Sequence, residues 1–448
     1  DGSASNHTIT ANGNVTQGTF GPFARPDGEW AMHRKSGANY LSFPAINLTG
    51  IYTMQFWFLP LFDPEGPPSP GYAMLYGAAA GGNYMAITGG NIELQTGASG
   101  DSNVSGDIGS SIKEGEWCHL LISRNSSNVY SIYINGVAMS LSNATQSASY
   151  PTSGTHKIGW GFGDSYNAPY YISNFRITKT VEVTGNFTPS TTPLTAITDT
   201  KILTCQSNRF VDNSASALAI TPIGNPEVSA FGPFLTDAAY DAGVKGASVH
   251  LDGAGDSISA ASSADFAFGT GDLTVEFWVY QKEVKNYTIY FDNRTSNNQA
   301  TLELYQSSNG AFDLYISGTS HAFTPPSVLN RWAHFAISRA SGTTKLFVDG
   351  VQYLSFSDST DYVCPNRFYV GRLSISDTYH LNGYMSDFRL VKGTAVYTSA
   401  FTPPTAPLTA ITNTKLLLNM ANGQAIDSAA QNNLTLYGGA KLSTGQAK

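Results

Sequence analysis

Apolar residues along this chain fall in short runs with a period of two or less, cut repeatedly by Gly, Asn, Asp, Ser and Pro. That rhythm predicts β-strands joined by tight turns. Ser131-Ile132-Tyr133-Ile134 meets Asn135-Gly136 and resumes as Val137-Ala138-Met139. Lys345-Leu346-Phe347-Val348 meets Asp349-Gly350 and resumes as Val351-Gln352-Tyr353-Leu354. Asn-Gly and Asp-Gly tolerate positive φ at both central positions of a two-residue loop, so each passage predicts a hairpin. No stretch of about 12 residues sustains a helical period. A large antiparallel sandwich is the expected architecture.

The pattern occurs twice. Met54-Gln55-Phe56-Trp57-Phe58 returns as Val275-Glu276-Phe277-Trp278-Val279, and Trp117-Cys118-His119-Leu120 as Trp332-Ala333-His334-Phe335. Tyr171-Ile172-Ser173-Asn174-Phe175-Arg176 returns as Tyr384-Met385-Ser386-Asp387-Phe388-Arg389, and Pro193-Leu194-Thr195-Ala196 as Pro407-Leu408-Thr409-Ala410. Self-similarity over this span is a duplication of one structural unit. The Trp residues at these matched strand positions are expected in the core. The predicted division is residues 1–223 as the first module, 224–414 as the second, and 415–448 as a C-terminal strand segment.

Those motifs, with Leu251-Asp252-Gly253-Ala254-Gly255-Asp256 and the tail Phe401-Thr402-Pro403-Pro404, resemble laminin-G-like, concanavalin A-like modules. The resemblance implies an all-β chain of two tandem antiparallel jelly-roll sandwiches. The tandem form is similar to structural proteins of tailed phages. In such modules the stretch equivalent to Lys415-Leu416-Leu417-Leu418 is normally the opening strand. On that reading the first module lacks its opening strand and 415–448 carries a spare. Three explanations stand open: a piece of a longer repeat array, a strand that packs on the module before it, or a strand that fills the edge of a neighbouring chain.

The resemblance also implies two kinds of site. Asp252, Asp256 and Asp387 match positions where these modules tend to carry acids, which implies calcium in the second module, a hard cation that prefers oxygen ligands. The first copy holds Lys35, Asn39 and Asn174 at the matched positions, so calcium is expected in the second module only. Carbohydrate binding is the commonest role, and sugars stack on exposed aromatic faces beside planar polar groups. Gly159-Trp160-Gly161-Phe162-Gly163-Asp164-Ser165-Tyr166-Asn167 has that make-up, with Trp160, Tyr166 and Asn167 as the candidate contacts; Tyr287 to Asn293 has it more weakly.

Enzymatic chemistry is not expected. Retaining glucanases of this class carry E-x-D-x-x-E on a strand, because two carboxylates must share acid/base and nucleophile work; the pattern is missing from the sequence. Glu114 and Glu116 precede Trp117 where the second copy has Leu329 or Asn330, and Arg331, before Trp332, and Glu276 has Gln55 as its counterpart in the first copy. His119 and His334 are expected to be hydrogen-bonded structural residues.

Composition narrows the partners. Of 448 residues only 12% are charged and 12% are aromatic, with 44 Gly, against about 25% charged in an average soluble domain. The net charge is −8 without a basic block, so neither nucleic acid nor an anionic membrane is an expected partner. Three cysteines make no disulfide framework. The expected role is a non-enzymatic virion component, a fibre, decoration or appendage protein, that contacts a glycan or another virion or surface protein. The alternatives are a secreted or surface adhesin, filament-forming by strand exchange, and an accessory binding region of a carbohydrate-active enzyme. A homo-oligomer or a larger assembly is expected, in a virion, otherwise extracellular or at the cell surface.

Overall fold

In the computed structural model, which describes residues 1–66, 73–78, 83–96, 103–160, 168–234 and 241–420, each copy becomes two antiparallel sheets packed face to face. The chain is all-β, with two tandem jelly-roll sandwiches. Among the described residues no helix is long and apolar enough to cross a membrane.

The copies do not divide where the repeat was expected to. One unit is residues 25–236 and the other is residues 1–24 together with 237–448, against sequence-derived boundaries after 223 and 414. Thr200–Thr204 pairs with Tyr170–Thr178, and Thr414–Leu418 with Asn382–Lys392. Each of these strands therefore closes the module that precedes it in the chain.

In the 25–236 unit an eight-stranded sheet is centred on Tyr52–Pro60, Cys118–Arg124 and Tyr170–Thr178, and faces a seven-stranded sheet that runs from Thr221–Ile223 to Val104–Asp107. Tyr52–Pro60 is buried on both faces, and its inward residues alternate: Met54, Phe56 and Phe58 are buried, and Phe56 stacks on Phe175 at 5.4 Å. The second unit repeats this plan. Phe277 lies at its centre, stacked 5.5 Å from Phe335 and 5.4 Å from Phe388. Truncating a ring so enclosed costs about 3–5 kcal/mol.

The predicted hairpins form. Asn135 and Gly136 have φ of 47° and 80°, and Asp349 and Gly350 have 51° and 80°, the left-handed pair of a type I′ turn. Glycine is needed there twice over, because a Cβ at Gly136 or Gly350 would meet the carbonyl oxygen of Phe187 or Phe401 at 1.8 Å.

The duplicated tryptophans lie on the outer face of the eight-stranded sheets rather than between the sheets. Residues of the Phe-Gly-Pro-Phe repeat cover them. Phe231 packs 5.9 Å from Trp117 and Phe234 5.4 Å from Trp57. Phe20 packs 5.6 Å from Trp332 and Phe23 5.7 Å from Trp278. Alternation alone assigns a large aromatic to a buried face, but it cannot tell which of two buried faces that is.

Candidate functional site

The second module carries a distinctive outer face on its seven-stranded sheet. Leu302–Gln306 and Phe312–Ile316 are paired strands, with Glu303 opposite Tyr315 and Tyr305 opposite Asp313. Leu302, Leu304, Phe312, Leu314 and Ile316 belong to the core. The alternate residues Glu303, Tyr305, Asp313 and Tyr315 therefore point away from it.

Four tyrosines form a row on this face. Tyr379 lies 5.2 Å from Tyr287, Tyr287 lies 5.6 Å from Tyr305, and Tyr305 lies 6.5 Å from Tyr315 between ring centroids. Tyr287 and Tyr379 are each 40% exposed. Both also have φ in the left-handed region, 69° and 61°. Bulky side chains rarely adopt that region, at a cost of about 1–3 kcal/mol each. Two neighbouring exposed rings held this way mark a functional position more strongly than either exposure or strain alone.

Beneath the row is a buried ionic cluster. Arg294 makes a two-pronged contact with Glu303 at 2.8 and 2.9 Å and lies 3.3 Å from Asp292. Its guanidinium stands 5.2 Å from the ring centre of Tyr315. Asp313 accepts from the Tyr305 hydroxyl at 3.0 Å and from the His321 N–H at 2.9 Å. Asp292 accepts from the Ser374 N–H and hydroxyl at 2.9 and 2.7 Å. Burial, together with the neighbouring Asp292 and Asp313, pushes Glu303 up to about 8 against the pull of Arg294. The cluster thus fixes the hydroxyl of one tyrosine and the ring of another, which is how a binding surface is preorganised.

Among the described residues the first module has no counterpart of Tyr305 and Tyr315. Its corresponding paired strands place Ala86 opposite Glu93 and Tyr84 opposite Gln95. Ala86 and Gln95 thus stand where the second module has Tyr305 and Tyr315. Sequence reasoning touched the site only through Tyr287 to Asn293. The available signal was the alternation in Leu302-Glu303-Leu304-Tyr305 and Phe312-Asp313-Leu314-Tyr315, whose outward positions pair carboxylates with aromatics.

The three acids expected to hold calcium have separate structural duties. Asp252 and Asp256 share one turn: Asp256 is buried and accepts from the Asp252 N–H at 3.0 Å and from the Asn14 N–H. Asp387 lies elsewhere. Asp252 pairs with Asn382, five residues from Asp387 and so about 16 Å along the strand. Asp387 accepts from the Leu408 N–H at 2.7 Å, the Ser386 hydroxyl at 2.6 Å and the Asn419 amide at 2.8 Å; burial raises it to about 6. The first copy makes the same backbone bonds with amides: Asn39 accepts from the Asn225 N–H, and Asn174 from the Leu194 N–H at 2.8 Å. Among the described residues no group of three or more His, Cys, Asp and Glu side chains could hold a metal.

Trp160 is half-buried, with the Lys157 ammonium 3.3 Å from its ring centre and Tyr40 5.9 Å away. Tyr166 and Asn167 lie outside the described residues.

Glu276 and the paired histidines sit in a buried network on the outer face of the eight-stranded sheet. Glu276 accepts from Arg389 and from the Tyr397 hydroxyl at 2.8 Å, with His334 at 3.3 Å. Burial alone would raise Glu276, and His334 and Arg389 outweigh it, so the carboxyl is held below its usual range. In the first copy Gln55 replaces it and donates to Glu182 at 2.7 Å, with Arg176 on the same carboxylate at 2.6 Å. Burial and Arg176 lower His119 to about 4. In the first copy the carboxylate that pairs with the arginine comes from Glu182 instead, and Gln55 bridges it to His119 at 3.1 Å.

The chain belongs to the concanavalin A-like lectin/glucanase superfamily, whose laminin-G-type family model matches residues 35–182 and 252–398. No curated protein matches the sequence. The fold is similar to a putative carbohydrate binding protein from Bacteroides ovatus (11% identity, 92% of this chain and 99% of that one, TM-score 0.31). It is also similar to domains LG4-5 of the mouse laminin alpha1 chain (11%, 85% and 95%, 0.28) and to a heptameric SAP-like pentraxin from Limulus polyphemus (16%, 36% and 80%, 0.28). At these scores nothing about ligands rests on the likeness.

Proposed function

We propose that this superfamily member is a non-catalytic saccharide-binding protein whose contact surface is the tyrosine row of its second module. The observation that carries this reading is the pair Tyr287 and Tyr379, exposed, in ring contact and strained. They continue into two further rings anchored from below by Asp313 and Arg294. Aromatic rings supply large contact area at low conformational cost. Asp313 holds the Tyr305 hydroxyl and Glu303 holds Arg294, which stands by Tyr315, so these carboxylates position the rings.

Among settings, the accessory binding region of a carbohydrate-active enzyme fits this chemistry best. A platform that binds without reacting is what such a region contributes. A virion fibre or a cell-surface adhesin would present the same row to a glycan, and all three place the chain outside the cytoplasm.

A glycan array with the intact protein, followed by calorimetric titration of the best saccharide, tests the reading. Tyr287→Ala and Tyr379→Ala are each expected to weaken binding at least about tenfold, the equivalent of about 1.4 kcal/mol. Melting temperature should hold, because both side chains are 40% exposed and truncation opens no cavity in the core. A blank array, or affinity unchanged in the double variant, sinks the proposal.

A further inference from the structure

One hydrogen-bond network recurs in both units and has different surroundings in each. Asp1 accepts from the Leu417 N–H at 3.0 Å and the His7 N–H at 2.8 Å. Asp212 accepts from the Leu203 and Leu218 N–H groups, each at 2.9 Å. The Ser5 N–H donates to the Ser3 hydroxyl and the Ser216 N–H to the Ser214 hydroxyl, each at 3.2 Å. Ile9–Asn12 then pairs with Ser257–Ala260 as Thr221–Ile223 pairs with Tyr40–Pro44. Residues 1–18 and 212–229 are thus two copies of one closing segment, in which Ser216 matches Ser5 and Leu218 matches His7. Strand register matches two lysines as well. Arg389 stands opposite Leu417 and Arg176 opposite Leu203, so Lys201 matches Lys415. The Lys392 N–H donates to the Asn413 carbonyl and the Lys179 N–H to the Asp199 carbonyl, each at 3.1 Å, so Lys179 matches Lys392.

In the second unit this cradle holds a carboxylate. Asp265, on the short helical turn Ala264–Phe266, lies 3.1 Å from the His7 ring and 3.2 Å from the Lys415 ammonium. Burial opposes its charge, but the Ser5 hydroxyl, Lys415 and His7 outweigh burial and hold the carboxyl below its usual range. The loop that carries it spans residues 261–272. The matching loop of the first unit, residues 44–51, is four residues shorter, and no acid occurs from Tyr40 to Phe62. Where Asp265 stands in the second unit, the first has a cavity of about 490 Å³, lined by Asn47, Lys179, Lys201, Ser216 and Leu218 among others. Ser216 is exposed where Ser5 is half-buried.

The empty cradle carries uncompensated positive charge. The Lys179 ammonium donates to the Thr49 carbonyl and pairs with no carboxylate among the described residues. Lys201 has Asp199 at 3.6 Å, with the Asp199 side chain 53% exposed, a geometry that contributes little. Arg124 is buried beside them and directs its guanidinium to the carbonyls of Gly50, Gln146 and Ser147 at 2.9, 3.1 and 3.2 Å. Its counterpart Arg339 instead lies 3.5 Å from Asp358. Burial, Arg124 and Lys201 together lower Lys179, as befits an ammonium that lacks a counter-charge.

We propose that the first module seats the carboxylate of an acidic peptide from a partner protein in this cavity, among Lys179, Lys201 and the Ser216 hydroxyl, as the second module seats its own Asp265. The filled cradle identifies the ligand class. What it holds is an aspartate on a peptide loop, followed by Phe266, whose ring lies 4.5 Å from that of His7. Leu218 in place of His7 leaves an apolar wall for such a neighbour. The cavity is larger than a carboxylate and has room for the residue that carries it. Bonds from ammonium groups to a carboxylate are roughly twice as strong as neutral ones, so the acid supplies the recognition.

The peptide of residues 262–268, Ser-Ser-Ala-Asp-Phe-Ala-Phe, is the probe. It is fluorescently labelled and titrated by anisotropy against the full chain at low ionic strength, beside its Asp265→Asn analogue. The acidic peptide is expected to bind about fivefold tighter than the analogue. Lys179→Gln and Lys201→Gln should each remove most of that preference. Lys113→Gln, on the same module outside the cavity, and Tyr287→Ala with Tyr379→Ala should leave it intact. Equal affinities for the two peptides, or an equal loss in Lys113→Gln, overturn the proposal. A uronic-acid oligosaccharide that displaces the acidic peptide at lower concentration than the unlabelled peptide does would also overturn it, and would assign the cavity to acidic saccharides. A second readout needs no peptide. Asn47→Asp places a carboxylate at the cavity and keeps the acceptor that the Thr49 N–H uses at 3.0 Å. The melting temperature should rise, and the rise should shrink in high salt; no rise counts against the proposal.

Discussion

Glu303 shows how far a single side chain departs from what its neighbours in sequence suggest. It stands in a plain alternating strand, yet its carboxyl is buried between Asp292, Asp313 and Arg294 and lifted to about 8. An unfolded glutamate titrates at about 4.3, so between these values the folded state binds the extra proton. The contribution to stability is fully present below the unfolded value and is lost as pH rises through about 8. The urea midpoint is therefore expected to fall between pH 6.5 and 8.5, and the fall should be smaller in Glu303→Gln. Equal slopes in the two proteins would show that the proton resides elsewhere. The period of two in Leu302-Glu303-Leu304-Tyr305 carries an outward position for Glu303 that the sequence reading passed over. It could not expose the cluster, because Asp292, Arg294 and Ser374 reach it from other strands and loops. Asp252, Asp256 and Asp387 taught the converse. They were legible as acids, while their duties depend on partners distant in sequence, such as Asn14 and Leu408.

Elements were more readable than their edges. The Asn135-Gly136 and Asp349-Gly350 hairpins, the repeated Phe-Trp strands and the sandwich class follow from local pattern and turn chemistry. The strand that closes each module did not, since pairing between distant segments leaves no local mark. The turn at Asp252–Asp256 makes this concrete. Its carboxylate holds the Asn14 N–H of the closing segment, and Asn39 does the same for Asn225 with an amide. Asp256→Asn, which keeps one of the two acceptor oxygens, should therefore lower the melting temperature less than Asp256→Ala, which removes both at about 0.5–1.5 kcal/mol per bond. Both outcomes are expected to be the same in calcium and in chelator, measured by thermal unfolding. A loss in Asp256→Asn that appears only with calcium would assign the turn to a metal instead.

At the scale of the whole molecule, duplication supplied two scaffolds and divergence gave them different outer faces. Buried positions tolerate exchange of Asp for Asn or Glu for Gln because the hydrogen bonds survive, as at Asp387 and Asn174. On the outer face the copies part: half-buried Tyr305 and Tyr315 in one, buried Ala86 and Gln95 in the other. Among the described residues the row stands in the second module, which sets the expectation of one saccharide per chain. The first module's nearest rival is Trp160, whose ring is approached by Lys157 at 3.3 Å, a cation–π contact that a sugar would have to displace. Calorimetric titration of the full chain is thus expected to give a stoichiometry near one, unaltered by Trp160→Ala and lost with Tyr287→Ala and Tyr379→Ala together. A stoichiometry near two that falls to one in Trp160→Ala would mean that both copies kept the ancestral face, and that the tyrosine row is an addition to lectin function rather than its seat.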